Sequence, residues 1–516
     1  MASAERTGRS HMTLQSSGAL PQIEITGSDL TIEQVVQVAH QGAGVILAPV
    51  VAEQMATGRQ ILEEAIARGE RIYGATTSVG PRTSASLSPE HIAEFSKRLL
   101  RTHHVGHGPE ASQNIVRATL CVLLNALASG RTGARMQLAQ ILVDALNQNK
   151  PVVMHLWGSM GQSDMSAMAD IGLALFQDCE LAAGEALAIL NSSALATGMA
   201  AISYSALHGI LRFATSVAAV SMDGFAANPS IISNTALESR HFSGAHIHGA
   251  ALRTELDGSY LFEKEGPRNH QDPLCFRALP LIHGAADDSL TFAGQQIAQE
   301  LNSAQCNPVI SLEHRTLAAT ANFDMVTLCM ALDVMRQAFT PVLTSATERV
   351  AKMVDTTWSG LPIGLIEDDG IGAPGFNGVA LFHKSITSEA RLLCAPLAGE
   401  LASSSHSNAV MDRASLAVLG ARRALELHTL ARSIISMELM VAAQAIDMRG
   451  QKPLGKGTRQ LYEFTREVVP FASGASGIPD VRRLMDHLDN AESTALADWT
   501  TEQNGTAYAA PRPQRM

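Results

Sequence analysis

The chain has 516 residues, of which 46% are hydrophobic but only 4% aromatic, with 40 glycines and 20 methionines. A core of such thin side chains favours closely packed helices over a β-sandwich, and the length suits one large or two intimate helical domains. The formal net charge of −11 and a pI of about 5.9 argue against nucleic acid as a partner.

The six cysteines are scattered without any Cys-x-x-Cys pair, which indicates a reducing, cytoplasmic compartment. The N-terminus has no charged-then-apolar signal pattern, and residues 1–22 are polar and serine-rich, so we expect a disordered tail. The apolar region at residues 186–222 also contains Asn, His and Arg, which favours a buried core helix over a membrane span.

Residues 28–82 are predicted to form a short strand or turn and then two helices. Thr31 begins the first helix, Pro49 follows the break before the second, and Gly69 ends the second. Residues 71–81 then form a loop that presents one tyrosine, Tyr73. A phenol can take a proton from a substrate when nearby cations or hydrogen-bond donors favour its deprotonated form. The plain alternative is a loop tyrosine that caps the core.

Three histidines follow within five residues: His103, His104 and His107. Imidazoles bind transition metals, but His103 and His104 point to different sides of any regular element and no carboxylate spacing completes a ligand set. We therefore expect no metal site. A second histidine-rich run, residues 240–249, is predicted to be an ordinary surface turn.

A helix pair is predicted at residues 116–149, and it delivers the chain to a loop at residues 157–170. This loop has two glycines and small side chains before an apolar helical run, an arrangement that can expose a backbone group or a hydroxyl. Ser163 and Asp164 are candidates for an acid or nucleophile, although a serine in a turn is more often a cap. Asn191 lies in a strongly apolar run and must be hydrogen-bonded, whether catalytic or structural.

The loop reads Gly-Ser-Met-Gly-Gln-Ser-Asp-Met and resembles the Gly-Ser-x-Gly-Ala-Ser-Gly-Asp-Leu loop of the histidine, phenylalanine and tyrosine ammonia-lyases. In that family the Ala-Ser-Gly backbone cyclises into a methylidene-imidazolone electrophile. Here the triad is Gln162, Ser163 and Asp164, or else Gln-Ser with the glycine deleted and Asp164-Met165 standing for Asp-Leu. Either alignment removes the glycine. The glycine nitrogen must attack the carbonyl two residues back, and a side chain obstructs the tight conformation required. We therefore expect no methylidene-imidazolone cofactor.

Other motifs of the same family follow in order from about residue 28 to residue 449, so the short motifs together give a specific fold signal. The resemblance implies a site in which each residue has a family role: the base Tyr73, the loop residues Ser163 and Asp164, the electrophile-holding Asn191, the side-chain pocket residue His103, the substrate-binding Gln271 and Phe323, and the carboxylate-binding Arg277. Two family groups are lost. Leu274 replaces a second catalytic tyrosine, and Met411, or Ala409 in another register, replaces a glutamate.

The resemblance also implies an all-α, histidine ammonia-lyase-like fold and a homotetramer whose active sites combine residues of three subunits. We expect the tail at 1–22, an N-terminal domain at 23–215 that carries the loop, a long-helix bundle at 216–450 and a C-terminal helical segment at 451–516. Long apolar helices from about residue 217 onward need partners to bury them.

The losses fall on the half of the site that activates the amine, so we expect a lyase reaction on an amino-acid-like carboxylate whose leaving group departs easily. The pattern is similar to that of ergothionase-like relatives, which eliminate trimethylamine from an imidazole-derived betaine such as ergothioneine. Isomerisation, dehydration or ring closure are further options. The alternatives are a conventional ammonia-lyase that cyclises Gln-Ser-Asp and an inactive homologue with a binding role. No nucleic-acid or membrane partner is expected.

Overall fold

The structure, a computed structural model, describes residues 22–367, 370–398, 410–450, 452–473 and 476–492. Its helices are α1 Ile32–His40, α2 Pro49–Ala67, α3 Ile92–His103, α4 Gln113–Ala128, α5 Met136–Asn147, α6 Met165–Phe176, α7 Glu185–Leu190, α8 Ala194–Phe225, α9 Asn234–Glu238, α10 Ser243–Glu255, α11 Leu274–Arg277, α12 Leu279–Leu301, α13 Val326–Val354, α14 Thr356–Ser359, α15 Asn377–Leu393, α16 Ala417–Met448, α17 Lys456–Val468 and α18 Val481–Glu492. Its short strands pair as β1 Ile23–Ile25 with β2 Val45–Leu47, β3 His107–Glu110 with β4 His155–Trp157, and β5 Val309–Ser311 with β6 Thr316–Ala318. The predicted all-α class is confirmed, and the predicted tail lies almost wholly outside the described residues.

The first two helices begin and end where local chemistry predicts. The Thr31 hydroxyl accepts a hydrogen bond from the Gln34 amide at 3.2 Å, and the Gln34 side chain accepts one from the Thr31 amide at 2.9 Å. This capping box satisfies free amides at the start of α1. Pro49 begins α2, and Gly69, at a φ of +76°, lies just past its end.

Four long helices, α8, α12, α13 and α16, form the centre of the fold, and α8 packs along both α16 and α4. Small residues allow these helices to come close. An ideal Cβ on Gly224 would lie 2.9 Å from the Ala442 carbonyl oxygen, and one on Gly198 would lie 3.1 Å from the Ala118 carbonyl carbon. The helix packing expected from the low aromatic content is therefore present.

Three stretches are long and apolar enough to cross a membrane by length and composition: Glu185–Phe225, Val326–Val354 and Ala417–Met448. The most apolar window of the first is entirely buried inside the fold. Residues 186–222 therefore form buried core helices, as the sequence predicts.

A buried ion pair links the bundle to the short helix α11. The Arg349 guanidinium contacts the Glu438 carboxylate at 2.5 and 2.9 Å, and both side chains have no exposed surface. Ser221 donates to the same carboxylate at 2.7 Å, and Arg349 also donates to the Cys275 carbonyl at 3.2 Å. Helices α8, α11, α13 and α16 therefore meet at this buried ion pair.

The prediction of a surface turn at residues 240–249 is wrong. Residues from Ser243 onward belong to α10, which packs so closely on α12 that a Cβ on Gly244 would lie 2.1 Å from the Gly284 carbonyl oxygen. His248 is fully buried, and its Nδ1 lies 2.8 Å from the Thr215 hydroxyl. Of the three histidines in this run, His248 alone is buried, and its hydrogen bond inside the core is a fact that composition alone does not reveal.

The domain boundary that we placed between residues 215 and 216 falls inside α8, which runs unbroken from Ala194 to Phe225. The N-terminal and central parts of the chain therefore share one helix. Helices α17 and α18 lie in the segment predicted to be C-terminal and helical.

Candidate active site

The loop between β4 and α6 holds Ser163 in a backbone conformation that is unusual for a residue with a side chain. Its φ is +64°, in the left-handed region. The Ser163 amide donates to the Phe323 carbonyl at 3.2 Å, and its hydroxyl donates to the Asn191 side-chain oxygen. With 3% of its surface exposed, Ser163 lies at the bottom of the loop rather than on an open surface.

Asp164 is fully buried, and its amide and both carboxylate oxygens form hydrogen bonds. Its amide donates to the Ser192 carbonyl at 2.8 Å. One carboxylate oxygen accepts from the Ser159 hydroxyl at 2.8 Å, and the other accepts from the Ala196 amide at 2.8 Å. Burial raises the pKa of Asp164 to about 6, although these hydrogen bonds favour the charged form. Because Ala196 is in the first turn of α8, Asp164 caps that helix.

Asn191 ends α7 and joins two parts of the site. Its side-chain oxygen accepts from Ser163, and its amide group donates to the Asn307 carbonyl at 3.2 Å. The hydrogen bonding that the apolar surroundings of Asn191 require is therefore present. Asn307 precedes Pro308 in a segment that also lines a narrow cavity.

Tyr73 borders that cavity, whose space, including its opening to solvent, is about 330 Å³. Leu187 and Cys306 also line this cavity. The Tyr73 hydroxyl accepts a hydrogen bond from the Gly80 amide at 3.0 Å. The structure therefore gives the phenol oxygen one donor and places Tyr73 on the same cavity as Asn307, whose carbonyl accepts from Asn191.

The three histidines at residues 103–107 have three separate environments. The His103 Nδ1 lies 2.8 Å from the Leu99 carbonyl oxygen, which can only accept, so Nδ1 donates this bond and Nε2 is the acceptor nitrogen of the neutral ring. The His104 Nε2 lies 3.1 Å from the buried Asp170 carboxylate, and the His107 ring meets the Trp157 ring edge to face. Among the described residues, no three His, Cys, Asp or Glu side chains converge as metal ligands.

Gln271 and Arg277 lie next to each other, with the Gln271 side-chain oxygen accepting from Arg277 at 2.8 Å. Both are exposed, as is Leu274, at the position of the lost tyrosine. Hydrogen bonds of this segment run to the end of α8 and to α13, and none within the described ranges reaches the loop at 157–170. Within one chain, the structure therefore does not bring Arg277 together with Ser163.

The segment before α16 contacts the loop directly, which the sequence did not indicate. The Ser415 hydroxyl donates to the Gly161 carbonyl at 2.6 Å, and the Leu416 amide donates to the Met160 carbonyl at 3.0 Å. Met411, at one of the two positions for the lost glutamate, lies just before this segment, whereas Ala409 lies outside the described residues. These contacts use carbonyls and a serine, groups that are present throughout any chain.

The side chain of Gln162 adds a further polar group. Its amide nitrogen is buried, and no acceptor for it is found in the part of the chain that the structure describes. A buried donor without a partner costs roughly 1–3 kcal/mol, so the loop holds one hydrogen-bond donor that a ligand oxygen would satisfy.

Comparisons with known proteins agree with the fold and identify the family. The family model for aromatic amino acid lyases matches residues 30–178 and 176–467. The histidine ammonia-lyase of Streptococcus sanguinis is 28% identical over 505 residues, which cover 92% of this chain and 98% of the relative. That of Symbiobacterium thermophilum is 27% identical, covering 92% and 97%.

Solved structures share the same architecture at lower identity. The ergothioneine-degrading enzyme ergothionase from Treponema denticola, in complex with desmethyl-ergothioneine sulfonic acid, superposes with a TM-score of 0.86 at 24% identity and covers 92% of this chain and 100% of its own. The histidine ammonia-lyase of Trypanosoma cruzi gives 0.84 at 20% identity, covering 96% and 99%. The chain therefore belongs to the aromatic amino acid lyase family and is a carbon–nitrogen lyase.

Proposed function

We propose that this lyase eliminates an amine from an amino-acid-like carboxylate without forming a methylidene-imidazolone group. Most concretely, we propose that it releases trimethylamine from an imidazole-type betaine such as ergothioneine. The observation that carries this proposal is the environment of Asp164, at the position of the glycine whose nitrogen closes the electrophile's ring.

Two features of Asp164 oppose ring closure. Its nitrogen already donates a hydrogen bond to the Ser192 carbonyl, so closure would break that bond. Its side chain is fixed in the protein interior by Ser159 and Ala196, so the backbone cannot turn without withdrawing a buried carboxylate from both donors. The residues present do not fit the family electrophile, and no step of the proposed reaction uses it.

Without that electrophile, the leaving group must depart unaided. A trimethylammonium group carries a permanent positive charge and leaves as a neutral amine when it takes the C–N bonding electrons. The Tyr73 phenolate would accept the β-proton, and the electrons of the broken C–H bond would form the new C=C bond. The Gly80 amide, at 3.0 Å, stabilises negative charge on the Tyr73 oxygen and so supports this role.

The His103 tautomer supports an imidazole-type substrate. Because Nδ1 donates to the Leu99 carbonyl, Nε2 presents a lone pair. That lone pair can accept a hydrogen bond from a ring N–H, which a phenyl side chain lacks. Ergothionase from Treponema denticola, described as an ergothioneine-degrading enzyme, shares the fold and supports the same choice.

We further propose a cytoplasmic homotetramer in which one subunit supplies Arg277 to the loop of another. The exposed Gln271–Arg277 pair, which does not bond to its own loop, supports this arrangement. Large apolar side chains are also exposed on α12, α13 and α15, among them Leu281, Phe292, Met330, Leu381, Phe382 and Leu392. Association would bury them.

Intact mass and turnover test the proposal together. We expect the unmodified mass, whereas loss of two water molecules would show that Gln-Ser-Asp cyclises and would restore ordinary ammonia release as the preferred function. The purified protein is then incubated with ergothioneine, histidine betaine, histidine and tyrosine, and released trimethylamine and ammonia are measured separately. We expect trimethylamine from a betaine.

Tyr73→Phe tests the base. Loss of a general base typically lowers turnover by about 10²- to 10⁴-fold. Tyr204→Phe is the matched control, because Tyr204 is also half-buried but lies in α8 outside the candidate site. Unchanged turnover in Tyr73→Phe would remove the base assignment. Betaine binding without any product would instead favour an inactive homologue.

A further inference from the structure

The last residue of β4, Trp157, lies directly before the active-site loop and is strongly exposed for its size. In the β3–β4 pair, Trp157 is opposite His107 and His155 is opposite Glu110. Trp157 keeps 46% of its residue surface exposed in a chain with few aromatic residues. An exposed tryptophan beside a catalytic loop presents a large π surface to whatever enters from solvent.

The position of the indole is fixed by Gly108. Gly108 has a φ of +92°, and an ideal Cβ there would lie 2.4 Å from the Trp157 Cδ2 and 2.5 Å from its Cε3. Only glycine allows the backbone of β3 to lie this close to the ring. The His107 ring packs edge to face with its centroid 5.7 Å away. Backbone therefore packs against the fused part of the indole, while the residue as a whole remains exposed.

The strand that carries Trp157 is anchored by a buried carboxylate. Asp170, with 1% of its side chain exposed, accepts from the His155 amide at 2.8 Å and from the His155 Nδ1 at 3.0 Å. The His104 Nε2 lies 3.1 Å from the other oxygen of Asp170. The end of α3, β4 and α6 are therefore joined at one point, which holds Trp157 at a fixed distance from the loop.

The charged residues of the two paired strands and their flanks are compatible with a cation at Trp157. Residues 103–110 and 153–165 contain no lysine or arginine, and Glu110, on the strand paired with that of Trp157, is exposed. Elsewhere in the molecule a comparable ring is already covered, since the Lys352 ammonium lies 4.8 Å from the centre of the Trp358 ring. Within the described residues, Trp157 has no such cation.

We propose that Trp157 is a specificity-determining residue that binds the quaternary ammonium group of the substrate on its open indole surface. This inference rests on the proposed function and adds the group that recognises the betaine. A trimethylammonium group is attracted to an indole face electrostatically, which raises affinity roughly 2-fold at exposed sites and roughly 30-fold where water is excluded. A neutral group of the same shape gains only the apolar contact.

The test compares a betaine with a neutral carbon isostere in which carbon replaces the quaternary nitrogen. Binding of histidine betaine and of its isostere is measured by calorimetry for the wild type, Trp157→Leu and Trp157→Phe. Trp157→Leu should weaken betaine binding about 2- to 30-fold and isostere binding much less, and Trp157→Phe should recover part of the loss. Trp358→Leu, at a similarly exposed tryptophan, is the matched control and should leave both affinities unchanged.

The outcomes separate this inference from the proposed function. If the wild type releases trimethylamine and Trp157→Leu binds the betaine normally, the assignment of Trp157 is wrong and the proposed function stands. If betaine binding depends on Trp157 but no amine is released, the assignment stands and the proposed function fails. If the wild type binds neither compound, both are overturned.

Discussion

The buried carboxylic acid of Glu255 should make the protein less stable as the pH rises. Glu255 ends α10 with 4% of its surface exposed, and its carboxyl accepts a hydrogen bond from the Ser216 hydroxyl at 2.8 Å. Burial raises the pKa of Glu255 from an ordinary 4.5 to about 7. The folded state therefore holds a proton that the unfolded chain releases above pH 4.5. Stability from this group is complete below pH 4.5 and is lost as the pH rises through about 7.

The size of the effect follows from the pKa difference of about 2.5, which corresponds to roughly 3 kcal/mol in the free energy of unfolding. Glu255→Gln removes the titration and can still accept from Ser216. We expect the variant to match the wild type near pH 4 and to exceed it by up to ~3 kcal/mol near pH 8. Urea unfolding followed by circular dichroism at both pH values measures this difference.

The control is Glu263→Gln, which changes an exposed glutamate and should leave the pH dependence unaltered. Burial also raises the pKa values of Asp164, Asp223 and Glu300 to about 6, so part of the wild-type decline lies at lower pH and remains in Glu255→Gln. If Glu255→Gln and the wild type lose equal stability between pH 6 and 8, the buried-acid reasoning is refuted.

Three further predictions concern the site and its support. Ser163→Ala leaves the amide oxygen that accepts its hydroxyl buried without a donor, so thermal unfolding should show a loss of about 1–3 kcal/mol. If subunits share sites, mixing Tyr73→Phe with Arg277→Leu protein and reassembling it should restore part of the turnover that each lacks alone; no recovery would contradict the shared site. Arg349→Met leaves the Glu438 charge unpaired in the core and should cost about 3–5 kcal/mol in chemical denaturation, and adding Glu438→Leu should recover most of it.

Features that depend on neighbours in the sequence could be predicted. The capping box of Thr31, the proline at the start of α2 and the glycine after it are set by residues within one helical turn. The need of Asn191 for hydrogen bonds followed from its apolar surroundings, and the structure supplies both partners. In each case, the physical cause lies in the same stretch of chain.

Features that depend on distant segments could not be predicted. Ser415 contacts Gly161, and His248 contacts Thr215, through single polar atoms that are common in any sequence. The sequence also offered Asp164 as a catalytic acid, because it cannot show which amides a carboxylate will meet. In the structure this carboxylate meets the first turn of α8, which favours a structural role, and its catalytic role stays a prediction.

The occupied N-terminus of α8 bears on where a substrate carboxylate can bind. The free amides and positive dipole at the start of a long helix form a natural anion site. Here the Ser193 amide donates to the Gln305 side chain at 3.0 Å, and the Ala194 amide donates to the Ser192 hydroxyl at 3.2 Å. The Ala196 amide donates to Asp164 at 2.8 Å. Because groups of the same chain already accept hydrogen bonds from these amides, the substrate carboxylate needs a cationic partner elsewhere. We propose that Arg277 from a neighbouring subunit has this role.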